Sequence, residues 1–139
     1  MATVAKPIFP QVIKTGVAQI LPADTTTLKT LFTADADGSR IDNIFVSSTD
    51  TSAKDLQFVV TISGVDYVVG TLSIPANSGF TNSVPLVSVF GHSQFAALNS
   101  DVNGNKHLFL ASGAVLKVKA LSTVTTAKAI SIFAQCGDY

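Results

Sequence analysis

Apolar and polar residues alternate along much of the chain, which is the pattern of a β-strand with one buried and one exposed face. In residues 55–63, every second position is large and apolar: Leu56, Phe58, Val60 and Ile62. Gly, Asn, Asp and Pro interrupt the alternation at near-regular intervals and indicate turns. The pattern predicts eight or nine short strands, at about 12–21, 26–33, 40–48, 55–63, 67–74, 84–90, 107–111, 115–121 and 128–135.

Many short strands at regular spacing predict an all-β fold, here a single antiparallel β-sandwich of jelly-roll type. Residues 92–98 lack Gly and Pro and are the one plausible site for one or two helical turns. Residues 1–11 contain Pro7 and Pro10, which favour extended backbone and cannot donate to a ladder. The predicted organisation is therefore an extended N-terminal arm, residues 1–11, followed by one sandwich domain, residues 12–139.

Two strand pairings follow from the alternation. Between residues 55–63 and 67–74, a three-residue loop at 64–66 keeps apolar side chains opposite each other, whereas a two-residue turn would mix the faces. The last two strands, at about 115–121 and 128–135, are expected to form a second hairpin, because both carry apolar residues at alternate positions.

The composition is unusual in its low charge. Charged residues make up 13% of the 139 residues, against roughly 25% in a typical soluble protein, and every acidic residue is Asp. The net charge is zero, without the basic excess that a nucleic-acid-binding protein needs to neutralise phosphates. No apolar run approaches the ~18 residues of a membrane span, and the N-terminus does not have the pattern of a signal peptide. We expect no nucleic-acid or membrane partner, and a surface that is partly covered in use.

The residues that could carry chemistry do not form a recognisable site. His92 and His107 lie in no hydrolase signature, and Cys136 has no CxxC partner. Residues 35–39 and 101–105 resemble the start of a calcium loop, but the chain has no Glu to complete one, so structural turns are the preferred interpretation. We expect no enzyme activity, no cofactor, no metal and no small-molecule substrate.

Several apolar residues occupy positions that the alternation predicts to be exposed to solvent. Val59, Val69 and Phe133 are on the nominally exposed faces of their strands, and Ile8 and Phe9 lie in the arm without an evident partner strand. Isolated apolar residues are common on protein surfaces, so this pattern has an ordinary explanation. The preferred hypothesis is that these five residues contact other chains, because the low charge points in the same direction.

Two stretches of the chain carry a family resemblance. The first runs from RIDNIFVSSTDT at residues 40–51 to PANSG at residues 75–79, and the second from DVNGNKHLFLASG at residues 101–113 to VLKVK at residues 115–119. Over roughly residues 16–136, the chain resembles small virion proteins of tailed bacteriophages.

The resemblance implies a compact β-sandwich on the phage particle, most often a head decoration or cement protein that stabilises the capsid lattice. The implied partners are the major capsid protein and further copies of the chain as a homo-oligomer. The implied location is the capsid exterior, after assembly in the host cytoplasm. Such families have no catalytic residues, so none are transferred to this sequence.

The alternative function is a receptor- or glycan-binding module of a tail or head fibre. Glycan pockets usually display aromatic residues, yet the chain has no Trp and only two Tyr. This composition makes the glycan-binding alternative weaker than the capsid one without removing it.

Overall fold

The computed structural model describes residues 10–139 and confirms an all-β protein built from two antiparallel sheets that pack face to face. The described residues form these strands: β1 Val12–Ile20, β2 Lys29–Thr33, β3 Ser39–Ser48, β4 Lys54–Ile62, β5 Val65–Ile74, β6 Val87–Ser88, β7 Leu108–Leu110, β8 Val115–Ala120 and β9 Ile130–Asp138. The helix predicted near residues 92–98 is a single 3-10 turn, Ser93–Phe95. Ile8 and Phe9 lie outside the described residues.

The strands form two sheets. Sheet A has the order β1-β9-β3-β6, with β7 also paired to β3, and sheet B has the order β2-β8-β4-β5. The predicted hairpin between the last two strands is wrong, because β8 belongs to sheet B and β9 to sheet A. Their apolar residues do point toward each other, but across the core. Alternation alone cannot distinguish a partner in the same sheet from one in the opposite sheet, since both place the same residues inward.

The core lies between the two sheets and is formed by the inward-pointing residues of both. Burial of these apolar side chains is the main favourable contribution to folding. The largest fully buried side chains are Phe58, Ile20, Ile41, Ile44, Leu56, Ile74, Leu116, Ile130, Ile132, Val46, Val89 and Val118.

The β4–β5 hairpin has a tighter turn than predicted. Ile62 pairs with Val65, so the connection is two residues, Ser63 and Gly64, rather than three. Both have positive φ, 51° and 79°, as a type I′ turn requires. This turn type matches the right-handed twist of the flanking strands, which explains why it replaces the predicted three-residue loop.

A β-bulge resolves the mixing of faces that the short turn would cause. Val59 pairs with Val68 and Phe58 pairs with Gly70, so Val69 is an extra residue between two consecutive pairs. The bulge moves every later residue of β5 by one position, which brings apolar residues of the two strands back onto the same face. The apolar faces of β4 and β5 are therefore aligned by a bulge within β5 and not by a longer loop.

Phe95 fills the end of the core beside β5. Its ring packs edge-on against Phe58, with centroids 5.9 Å apart, and lies 6.4 Å from the ring of Phe90. Gly70 permits this arrangement, because a Cβ at that position would lie 2.7 Å from Cζ of Phe95. The 3-10 turn thus covers part of the edge of sheet B.

A buried carboxylate ties the loops at one end of the sandwich together. Asp50 is fully buried and accepts hydrogen bonds from the backbone N–H of Thr125 at 2.9 Å, its hydroxyl at 2.7 Å, and the backbone N–H of Ser52 at 3.0 Å. The Asp50 carbonyl also accepts from the N–H of Asn77 at 3.0 Å. Burial alone would raise the pKa of Asp50, but the hydrogen bonds from Thr125 and Ser52 outweigh it and lower the pKa to about 2.

Replacing Asp50 by Asn should destabilise the fold by about 2–3 kcal/mol, because an amide N–H would then face a buried donor. Urea unfolding at neutral pH measures this loss. The matched control is Asp55→Asn, whose carboxylate is exposed on β4 and forms no hydrogen bond within the described chain. The control should change the free energy of unfolding by less than about 0.5 kcal/mol.

The effect of Asp50→Asn should also depend on pH. The folded-state pKa, about 2, lies below the ordinary value of 3.8, so the carboxylate stabilises the fold fully above the ordinary pKa and loses this effect as the pH falls through about 2. The difference in stability between wild type and variant should therefore shrink as the pH falls over this interval. A difference that stays constant down to pH 2 would contradict the assigned hydrogen-bond network.

Candidate interaction surface

The outer face of sheet A is formed by side chains of three adjacent strands that point away from the core. We call it the sheet A face and define it by its residues on β1, β3 and β9: Thr15, Val17, Gln19, Asn43, Phe45, Ser47, Ser131, Phe133 and Gln135. The register places Val17 opposite Phe133 and Phe133 opposite Phe45, so one apolar row crosses the sheet.

This apolar row is an aromatic pair beside an exposed valine. The rings of Phe45 and Phe133 stack with centroids 4.9 Å apart and an interplanar angle of 24°. Val17 is 62% exposed and lines, with the two rings, a shallow groove of about 400 Å³. The serines at 47 and 131 form another wall of the groove. The groove offers an apolar surface with small hydroxyl groups at its margin.

The nine residues of the sheet A face are uncharged, and the two charged residues of β3, Arg40 and Asp42, lie beyond them toward the start of that strand as an ion pair. The corresponding face of sheet B presents Asp55, Lys117 and Lys119, which is the charge pattern of a surface that remains in water. Centres of protein–protein interfaces are depleted in charged residues and enriched in aromatic ones. The sheet A face therefore has the chemistry of an interface, whereas the sheet B face has charged residues beside its exposed Val68.

The structure places the predicted contact residues in different environments. Phe133 lies at the centre of the sheet A face, as described. Val59 points outward from sheet B but is only 3% exposed, because Val68 and Lys117 flank it on the neighbouring strands. Val69 is the bulged residue and packs against the core. The expectation of exposed side chains is thus not met at Val59 and Val69.

Two residues of the sheet A face were not among those predicted. Phe45 stands between Ile44 and Val46, and a run of three apolar residues does not show which one faces outward. Val17 lies on a strand with little alternation, where Ala18 follows it directly. Only the register, which aligns both with Phe133, makes them one surface.

The histidines and the cysteine occupy separate structural positions. His92 accepts a hydrogen bond through Nδ1 from the N–H of Gln94 at 3.1 Å, which caps the 3-10 turn. The ring of His107 packs edge-on against Phe109, with centroids 4.7 Å apart. Cys136 is buried, and burial raises the pKa of its thiol to about 11, so the reactive thiolate is strongly disfavoured at neutral pH.

The aspartates of the two calcium-like loops serve as turn residues. The N–H of Asp35 donates to the Ser39 hydroxyl at 3.0 Å. The Asp101 carboxylate accepts from the N–H groups of Asn103 and Asn105 at 2.8 and 3.0 Å. Among residues 10–139, no group of three or more His, Cys, Asp or Glu side chains is placed to hold a metal ion.

Comparisons with known proteins give little further information. No protein-family model matches the chain, and no curated protein sequence matches it. Among solved structures, a chain of the acidic stable capsid structure of Helicobacter pylori bacteriophage KHP30 aligns over 93% of this chain and 90% of that chain, with a TM-score of 0.48 and 10% identity. These values are too low to assign a fold or a role.

No helix in the described part of the chain is both long and apolar enough to cross a membrane.

The stacked pair should be energetically coupled in the isolated protein. In a double-mutant cycle of Phe45→Ala and Phe133→Ala, urea unfolding should give a coupling energy of about 1 kcal/mol, as expected for an aromatic pair. The control cycle combines Phe45→Ala with Phe109→Ala. Phe109 lies opposite Arg40, roughly 16 Å along β3 from Phe45, so these changes should be additive. A zero coupling energy for the first cycle would contradict the described stack.

Proposed function

We propose that this protein is a structural virion protein of a tailed bacteriophage, a head decoration or cement protein that binds the capsid exterior and stabilises its lattice. The observation that carries the proposal is the sheet A face, an uncharged surface with a stacked aromatic pair at its centre. The partners are the major capsid protein and further copies of this chain. The protein acts by contact alone, without catalysis or a cofactor, after assembly in the host cytoplasm.

The strand order supports the finer assignment to the jelly-roll type. In each sheet, strands from the first half of the chain alternate with strands from the second half: β1-β9-β3-β6 in sheet A and β2-β8-β4-β5 in sheet B. This is the order of two nested Greek keys, in which every connection crosses from one sheet to the other except the β4–β5 hairpin and the link between β6 and β7. Jelly rolls are frequent in viral capsid proteins and in lectins.

The contact surface extends beyond the sheet A face along β1, which is the edge strand of sheet A. Val12 and Ile13 at its start are exposed, Ile13 by 92%. A standard interface covers about 800 Å² per partner, roughly a tenth of the 7727 Å² exposed here. The groove and the start of β1 together provide an apolar centre for a contact of that size.

The N-terminal arm, residues 1–11, is proposed to contribute to the same contact. The N–H of Gln11 donates to the Asp138 carbonyl at 2.8 Å, so the chain enters sheet A at the exposed start of β1. Ile8 and Phe9 would supply apolar anchors there. The prolines at 7 and 10 limit the conformations of the free arm, which lowers the entropy lost on binding.

The proposal is tested by adding purified protein to capsids that lack it and measuring occupancy and capsid melting. Wild type should bind and raise the melting temperature. The double variant Phe45→Ser/Phe133→Ser should reduce occupancy at least about tenfold, since each ring contributes more than 1 kcal/mol at an interface centre. The control Tyr67→Ser removes an exposed ring from β5, away from the sheet A face, and should bind as wild type does.

A third variant lacks residues 1–11 and tests the arm separately. If it folds but binds and stabilises capsids as wild type does, the arm has no role in the contact. If the Phe45→Ser/Phe133→Ser variant is folded and binds normally, the sheet A face is not the contact. If wild type does not bind capsids, the decoration function is wrong.

A further inference from the structure

A cleft lies at the edge of sheet A, where the fourth strand of the sheet is divided into two pieces. β7 pairs with Ser39–Ile41 of β3, whereas β6 pairs with Phe45–Val46 on the same side. In the described chain no strand pairs with β3 between these two segments on that side, and a cleft of about 650 Å³ opens there. Residues that line it include Arg40, Asp42, Asn43, Asn105, His107 and Phe109.

The charged groups of the cleft have partners within the protein. Nε of Arg40 lies 2.7 Å from Oδ1 of Asp42, a distance suited to an ion pair, although the angle is not that of a hydrogen bond. Lys106 also lines the cleft, but its ammonium group donates to the carbonyls of Ala96 and Leu98 at 2.9 and 3.1 Å. The Lys106 ammonium is therefore engaged by backbone carbonyls, and Nε of Arg40 lies against the Asp42 carboxylate.

The second carboxylate of the cleft is engaged as well. Asp101 accepts from the N–H groups of Asn103 and Asn105, and the side-chain amide of Asn105 donates to its other oxygen at 3.3 Å. The hydrogen bond from the N–H of Asn105 is the largest cause of a lowered pKa of the Asp101 carboxyl, so this group is ionised at neutral pH. With two cations and two carboxylates, the lining has no net charge. The cleft therefore offers no excess charge of either sign to a charged ligand.

Neutral hydrogen-bonding groups and an aromatic ring remain for a ligand. The side-chain amide of Asn43 donates to Oε1 of Gln135 at 3.3 Å, which leaves its carbonyl oxygen to accept. The imidazole of His107 supplies one donor and one acceptor. Phe109 is 51% exposed, and the His107 ring packs edge-on against its ring with centroids 4.7 Å apart. The cleft thus combines a polar floor with one apolar ring.

We propose that this cleft binds a neutral saccharide. A sugar ring presents hydroxyl groups that donate and accept, which suit the amides and the imidazole, and a face of C–H groups, which packs on an aromatic ring. A purely apolar ligand would leave the polar floor without partners, at a cost in free energy. Binding sites usually join an apolar wall to a few convergent polar groups, as here. The site shares Asn43 with the sheet A face but involves none of the apolar row of that face, and it does not depend on capsid binding.

The test is amide NMR of the isolated, isotope-labelled protein titrated with methyl glycosides of glucose, galactose, mannose and N-acetylglucosamine. Inorganic phosphate and glycerol serve as charged and acyclic probes. At least one glycoside should cause saturable shifts confined to residues 40–43, 88–91 and 101–109. Phe109→Ala should weaken that binding about tenfold, because it removes the stacking surface. Phe80→Ala removes an exposed ring outside the cleft and should leave the affinity unchanged.

Phe109→Tyr keeps the stacking surface and should retain binding, which separates loss of the ring from loss of the fold. The proposal is overturned if no glycoside causes saturable shifts, if phosphate or glycerol binds as well as the best glycoside, or if folded Phe109→Ala binds as tightly as wild type. Because these titrations contain no capsids, their failure leaves the decoration function untouched.

Discussion

The last strand of the chain, β9, lies between β1 and β3 and pairs with each of them along its length. These ladders join opposite ends of the chain, since Val12 pairs with Asp138. Such distant pairings require closure of long loops before they become favourable, so sheet A forms only as part of the whole domain. The sheet A face depends on the same pairing, because β9 alone brings Phe133 between Val17 and Phe45.

Alternation was sufficient to predict the fold class and most strands, because each sheet buries one face and exposes the other. It failed where two arrangements place the same residues inward. The pairing of β8 with β9 is one case, since partners in the same sheet and across the core have the same parity. The bulge at Val69 is the other, because one extra residue reverses the faces of a strand and its sequence signal is weak.

The surface was harder to predict than the core, because exposure depends on neighbours that only the register identifies. Val59 points outward as its position predicts, yet adjacent strands cover it. Phe45 and Phe133 are 88 positions apart in the sequence and become one surface only through the β3–β9 ladder. The low charge of the whole chain indicated a covered surface, but the composition could not show which face was free of charge.

The sheet A face is expected to be covered in the assembled particle, while Tyr67 on β5, the edge strand of sheet B, remains in water. Hydroxyl-radical footprinting, read by mass spectrometry on the free protein and on capsids saturated with it, tests this directly. Oxidation of Phe45 and Phe133 should fall strongly on the particle, whereas oxidation of Tyr67 should not change. Equal oxidation of both phenylalanines in the two states, with protection of Tyr67 instead, would contradict the claim.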